Sequence, residues 1–202
     1  MIYFKDIKVV IKKEMIVKNL PGYYYITHIN EHTSVKEKLL SAMDDLPLDD
    51  KELGEEDIEK TDWNLHEEYY REYLEIFYDM ITPYMQNMGR NLLATRWQIL
   101  NTWFQRYKKN NSHAWHVHGM CMYANVYFLE LPSDELVTEL YDVHSNSIIK
   151  LEGIKEGDLI TFPSYFIHRS PKNTTDSKKT IISFNSNFYD TDQNRVSEKL
   201  SC

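Results

Sequence analysis

The sequence predicts a mainly β-sheet protein with supporting helices, a sandwich or barrel, on three observations. From about residue 96 onward, short strand-like runs alternate with turns rich in Asp, Asn, Ser and Gly. Upstream of them, two stretches carry apolar residues at three- and four-residue spacing, the period of a helix that buries one face. The third is size: 202 residues, 42% hydrophobic and 27% charged, suffice to bury the core of one domain. The expected organisation is a single domain over residues 1–202, with N-terminal strands and helical support in 1–95 and the β core in 96–189.

Taken in order, Met1 to Tyr25 holds the apolar runs Val9-Val10-Ile11 and Met15-Ile16-Val17 and the turn Leu20-Pro21-Gly22, which reads as one or two strands at a sheet edge or lid. Ser34-Val35-Lys36-Glu37 has the form of a capping box, with Leu39, Leu40 and Met43 as a helical stripe behind it. Asp44 to Asp62 is acidic and broken by Pro47 and Gly54, so it reads as a solvated loop or flap. A long helix is expected from about Leu65 to Met88, its stripe being Tyr70, Leu74, Phe77, Ile81, Tyr84 and Met88. Leu92 to Tyr107 reads as a strand with Trp97, Ile99, Asn101, Trp103 and Tyr107 on one face. Met122 to Leu131 follows, with Tyr123, Asn125 and Tyr127 sharing a face, and Leu136 to Val143, Ile148 to Leu151 and Leu159 to Phe162 supply further strands. The tail after Tyr189 is polar and reads as frayed.

The formal charge of -8 argues against binding a phosphate backbone as the main activity, since that mode draws its affinity from clustered Lys and Arg. No apolar run is long enough to span a bilayer, and the N-terminus mixes Lys and Glu into its apolar residues, unlike a signal peptide. Cys121 and Cys202 show neither a disulfide framework nor zinc spacing, so a reducing cytoplasm is the simplest expected location.

Candidate chemistry concentrates in Trp103-Phe104-Gln105-Arg106-Tyr107, a polar turn, and His113-Ala114-Trp115-His116-Val117-His118. Alternate residues of a strand project from one face, so His116 and His118 stand together, as two ligands of one ion must. Taken alone, a His-x-His pair on an exposed strand is more often two solvated side chains than a metal site. Downstream, Gly157 to Ser164 reads as a turn and a buried strand, and Ile167-His168 brings a third imidazole. Three nitrogen ligands on one side of an iron leave the opposite positions open to substrate and gas. After a turn-rich loop, a cation opens the strand Lys179-Thr180-Ile181-Ile182-Ser183-Phe184-Asn185, in which Lys179, Ser183 and Asn185 share a face; a one-residue slip would exchange Lys178 for Lys179.

In this order the features resemble the 2-oxoglutarate and Fe(II)-dependent oxygenases, in particular a branch found in bacteria and phages. The matching parts are the tryptophan-led strand at Trp103, His116 and His118, the aliphatic and tyrosine-rich strand from Val126 to Pro132, Gly157 to Ser164, His168, and Lys179 to Asn185. The resemblance covers roughly the second half of the chain. It implies a double-stranded β-helix, a cupin-like jelly roll whose mouth holds the metal. It further implies Fe(II) on His116, His118 and His168, O2 and 2-oxoglutarate as co-substrates, and Lys179 on the distal carboxylate of 2-oxoglutarate, where relatives mostly have Arg. His118 stands where most relatives have Asp or Glu, which leaves the iron site one positive unit higher. If it does not ligate, the vacated position admits water or a halide, and halogenation becomes the alternative chemistry. Tyr107 and His113 lie where relatives have tyrosines on 2-oxoglutarate, with packing as the other explanation for Tyr107. Asn125, Tyr127 and Ser183 offer hydrogen bonds to the co-substrate if their faces line the barrel, although Ala124-Asn125 and Ile181 depart from the family's Ser-Gly and Ser. The implied reaction is hydroxylation of a C–H bond, first of all on a prolyl or other residue of a protein or peptide, with release of succinate and CO2. The alternatives are an oxidative demethylase of nucleic acid, disfavoured by the acidic balance, and a non-catalytic jelly-roll metal-binding or structural module.

Overall fold

The structure, a computed structural model, describes residues 24–48 and 58–192, so the apolar runs before Tyr24 and the tail beyond Asp192 lie outside the described residues. In chain order the elements are β1 (Tyr25–His28), α1 (His32–Asp44), β2 (Lys60–Thr61), α2 (Glu72–Asn91), β3 (Ala94–Tyr107), β4 (His113–His116), β5 (Tyr123–Glu130), β6 (Glu139–Asp142), β7 (Ser147–Lys150), β8 (Asp158–Pro163), β9 (Ile167–Ser170) and β10 (Lys179–Thr191). All strand pairings are antiparallel, in a large sheet ordered β1-β8-β5-β10-β3-β2 and a small one ordered β4-β9-β6-β7. This is the jelly-roll arrangement of a double-stranded β-helix, as the resemblance implies.

The large sheet is apolar on both faces because it packs on both. Outward, Phe104, Tyr127, Leu129, Ile182 and Phe184 meet Leu39 and Met43 of α1 and Tyr73, Phe77, Ile81 and Met85 of α2. Phe77 is fully buried, with ring contacts to Tyr127 and Phe184; burying such a side chain stabilises the fold by roughly 1.5–3 kcal/mol. Inward, Tyr107, Val126, Phe128, Ile160, Phe162 and Ile181 pack with Leu136, Val137 and Leu140 in a second core between the sheets. Strand alternation then fixes which side chains can reach the interior: on β5 they are Ala124, Val126 and Phe128, while Tyr123 and Tyr127 face the helices.

Three local expectations differ from the structure, each for an identifiable reason. Helix α1 begins at His32, not at a Ser34 cap, because Ser34 Oγ donates back to the carbonyl of Glu31. Helix α2 starts at Glu72 instead of Leu65 and runs to Asn91; the segment before it is held as turns by Arg71, whose guanidinium donates to the carbonyls of Asp62 and Leu65. Tyr70 is therefore exposed and outside the helical stripe. In β3, Asn101 pairs with Asn185 but Ile99 with Ser186, so Leu100 is an extra residue in a bulge. The bulge reverses the alternation: Trp97 and Ile99 pack with the helix-facing core, while Trp103 and Tyr107 turn inward.

The acidic stretch also contains structure that its composition hides. Asp62 is fully buried, accepting hydrogen bonds from Tyr73 Oη at 2.6 Å and from the Phe104 amide at 2.8 Å, and thereby ties the chain ahead of α2 to β3. Next to it, Trp63 packs edge-on against Trp103, ring centroids 4.5 Å apart. No described helix is long and apolar enough to cross a membrane.

Candidate metal centre

Strand β4 pairs with β9 so that His116 lies directly opposite His168. His118 follows just past the end of β4, where its amide donates to the Ser164 carbonyl at 3.0 Å and keeps the period-2 placement beside His116. The three rings converge: centroids are 4.2 Å apart for His116 and His168, 4.9 Å for His118 and His168, and 5.2 Å for His116 and His118. Their available ligand nitrogens all lie within 4.8 Å of one another. Among the described residues this is the one cluster of His, Cys, Asp or Glu with such a separation.

Hydrogen bonding settles which nitrogen each ring can offer. His116 Nδ1 donates to the Ala114 carbonyl at 2.8 Å and His168 Nδ1 to the Phe166 carbonyl at 2.9 Å. A carbonyl only accepts, so both rings carry their proton on Nδ1 and leave the Nε2 lone pair for an ion. His118 Nδ1 sits 2.6 Å from Asn185 Oδ1, the corresponding arrangement with a side-chain acceptor. Burial, reinforced by the neighbouring His116, pushes the His168 pKa down to about 3, and burial also lowers that of His118. Neutral imidazoles held by outer partners are the form that ligates a transition metal, and the donor set fits such an ion.

The rings open on a narrow cavity of about 20 Å³ lined also by Trp103, Gln105, Tyr107, His113, Val126, Thr138, Arg169, Ser170, Ile181 and Ser183. Of the residues singled out from sequence, Tyr107 and Ser183 therefore reach it, as does His113, whose pKa burial pushes down to about 4. Lys179 is fully buried behind this wall, Nζ donating to Ser170 Oγ at 2.7 Å and to the Leu136 carbonyl at 2.6 Å and lying 5.3 Å from the centroid of the Tyr107 ring. Burial pushes its pKa down to about 7, with the Glu139 carboxylate opposing. Lys178 points outward, half exposed and 3.7 Å from Glu59, so the inward lysine is Lys179.

Asn125 and Tyr127 are not brought to the cavity. Both lie on the helix-facing side of β5: Tyr127 Oη bonds His32 Nδ1 at 2.7 Å, and Asn125 bonds Thr161 Oγ1, Ser186 Oγ and the Phe184 carbonyl. The inward residue between them is Val126. Sequence reasoning overlooked Gln105, Thr138 and Arg169 on the cavity wall. Gln105 was available from the alternation that marks Trp103 and Tyr107, whereas Thr138 and Arg169 reach the wall through sheet pairing that no local pattern records.

No family model matches the sequence, and no curated protein matches it. Solved structures do. A viral collagen prolyl hydroxylase from Paramecium bursaria Chlorella virus-1, in complex with 2-oxoglutarate, is 15% identical over 83% of this chain and 97% of its own, with a TM-score of 0.56. An oxidoreductase of the 2OG-Fe(II) oxygenase family from Burkholderia pseudomallei is 8% identical over 83% and 85%, with a TM-score of 0.62. A prolyl hydroxylase from Trichoplax adhaerens, in complex with a hypoxia-inducible-factor degradation-domain peptide, is 14% identical over 87% and 86%, with a TM-score of 0.55. With its two antiparallel sheets and three imidazoles converging between them, the chain has the fold of the 2-oxoglutarate and Fe(II)-dependent oxygenase superfamily.

Proposed function

We propose that this protein is a single-domain Fe(II)- and 2-oxoglutarate-dependent dioxygenase that hydroxylates a C–H bond of a prolyl or other residue in a protein or peptide. The observation that carries the reading is the cluster of His116, His118 and His168 on a cavity whose wall residue Ser170 hydrogen-bonds the buried Lys179. When bound, Fe(II) would supply the activation of O2, with one oxygen atom entering the substrate and the other entering succinate as 2-oxoglutarate loses CO2.

The chain's own residues would do the holding. His116, His118 and His168 present nitrogen on one side of the ion and leave the remaining positions to the co-substrates. Lys179 neutralises the distal carboxylate, helped by the hydroxyl of Ser170, and Tyr107 and Ser183 line the intervening wall. Ile181 and Val126 exclude water along the same wall. Trp103, packed against His118 and against the half-exposed Trp63, carries the site toward the surface, where a polypeptide segment would approach. The likeness to a prolyl hydroxylase solved with a peptide supports this choice of substrate class.

The test is succinate formation by anaerobically reconstituted protein supplied with O2, 2-oxoglutarate and proline-containing peptides. Succinate that requires Fe(II) and disappears in His168→Ala supports the reading. Protein that binds Fe(II) yet never consumes 2-oxoglutarate across diverse peptides contradicts it and favours a metal-holding module.

A further inference from the structure

We infer that Asn185 is a positioning residue that fixes the tautomer of His118 and so recruits it as the third ligand of the cluster. The inference rests on reading the three histidines as a metal centre, but it concerns the one histidine whose participation the sequence left open.

The three rings are not oriented by equivalent means. His116 and His168 each donate to the carbonyl of the residue two positions earlier on their own strand, an acceptor any side chain there would leave in place. His118 instead depends on a side chain from β10, Asn185 Oδ1 at 2.6 Å, distant in sequence and only 7% exposed. Asn185 is the last of the inward series Lys179, Ile181, Ser183 and Asn185, and the β3 bulge falls immediately after it. The other ring neighbours are Trp103 at 5.7 Å and the two partner imidazoles, His116 at 5.2 Å and His168 at 4.9 Å between centroids. Among the hydrogen bonds of the described residues, the Asn185 amide is the polar partner given to this ring.

An amide has two faces, and they have opposite consequences. With Oδ1 toward the ring, as observed, Nδ1 must hold the proton and Nε2 keeps its lone pair for an ion. With the NH2 group toward the ring, Nδ1 would accept, the proton would move to Nε2, and that nitrogen could not ligate. The observed orientation gives His118 the same tautomer as His116 and His168, a set of three matched neutral donors. A neutral amide also leaves the imidazole uncharged, so the ion would keep its full positive charge for an anionic co-substrate; an acidic partner would make the ring a stronger donor.

The experiment compares the wild type with Asn185→Leu, close in volume but unable to accept, and Asn185→Asp, which can only accept. In metal-free protein carrying nitrogen-15 histidine, long-range proton–nitrogen spectra assign each tautomer directly, without turnover. The wild type and Asn185→Asp should show His118 protonated on Nδ1; Asn185→Leu should show protonation shifted to Nε2, with unchanged His116 and His168 signals reporting an intact fold. Anaerobic titration with Fe(II), and with Co(II) as a spectroscopic stand-in, should show roughly 10–100-fold weaker binding in Asn185→Leu and recovery in Asn185→Asp. A wild-type His118 protonated on Nε2, or an Asn185→Leu protein with wild-type metal affinity, overturns the proposal. Wild-type protein with the expected tautomer and no affinity for either metal overturns the metal centre itself, and the recruitment with it.

Discussion

His116 and His168, far apart in sequence, are a cross-strand pair: they face each other directly in the β4–β9 register, ring centroids 4.2 Å apart. Neither ring can be removed without taking a donor from the cluster. His168→Ala and His116→Ala should each weaken Fe(II) binding by more than the roughly 10–100-fold that loss of an outer partner causes, measured by anaerobic titration. The exposed His66 is the control, and its replacement should leave binding at the wild-type value.

On the proposed function, Lys179 would make 2-oxoglutarate binding depend on pH. Its pKa of about 7 means that the free amine is largely neutral at about pH 8, whereas a carboxylate placed against it would restore the charge. Binding of 2-oxoglutarate should therefore take up close to one proton at about pH 8 and progressively less as pH falls below about 7, read by calorimetry in buffers of different ionisation heat. Lys179→Met should abolish the uptake and weaken binding at least tenfold. The same shift has a stability signature. A lysine depressed in the folded state leaves the unfolded chain holding more protons, so unfolding free energy should rise with pH between about 7 and the ordinary lysine value, a slope that Lys179→Met removes.

Tyr127 tests the direction in which β5 faces. Its hydroxyl bonds His32 on the helix side, so Tyr127→Phe should cost about 1 kcal/mol of stability while leaving 2-oxoglutarate affinity unchanged. A large loss of affinity in a stably folded variant would mean that the hydroxyl serves the cavity.

Asp62 should prove structural although it lies in the acidic stretch. Asp62→Ala leaves the Tyr73 hydroxyl and the Phe104 amide without their buried acceptor and should cost roughly 3–5 kcal/mol in denaturant unfolding. Burial raises the Asp62 carboxyl above its ordinary value in spite of its donors. The folded state then holds the extra proton, so stability should fall as pH rises through the raised pKa, and Asp62→Asn should flatten that dependence.

These residues also mark how far the sequence could be read. Period-2 alternation was enough to put His116 beside His118 and to align Lys179, Ser183 and Asn185, because each set lies within one uninterrupted strand or its direct continuation. It misassigned Trp97 and Ile99 because the bulge at Leu100 inverts the phase, and local sequence carries no mark of a bulge. It left the role of Asn125 and Tyr127 open because β5 is buried on both faces, and hydrophobicity then no longer says which face is the interior. Helix α2 was recognised by its stripe yet begun too early, since Tyr70 fits the spacing while the Arg71 contacts to carbonyls decide the boundary. Asp62 reads as one acid among many until Phe104 and Tyr73 fold around it.

The most direct test is an anaerobic titration of the protein with 2-oxoglutarate, with and without Fe(II). The account predicts saturable one-to-one binding that is tight only in the presence of Fe(II) and is lost when either His168 or Lys179 is replaced. Binding that ignores the metal, or a metal-loaded protein with no affinity for 2-oxoglutarate, would contradict it.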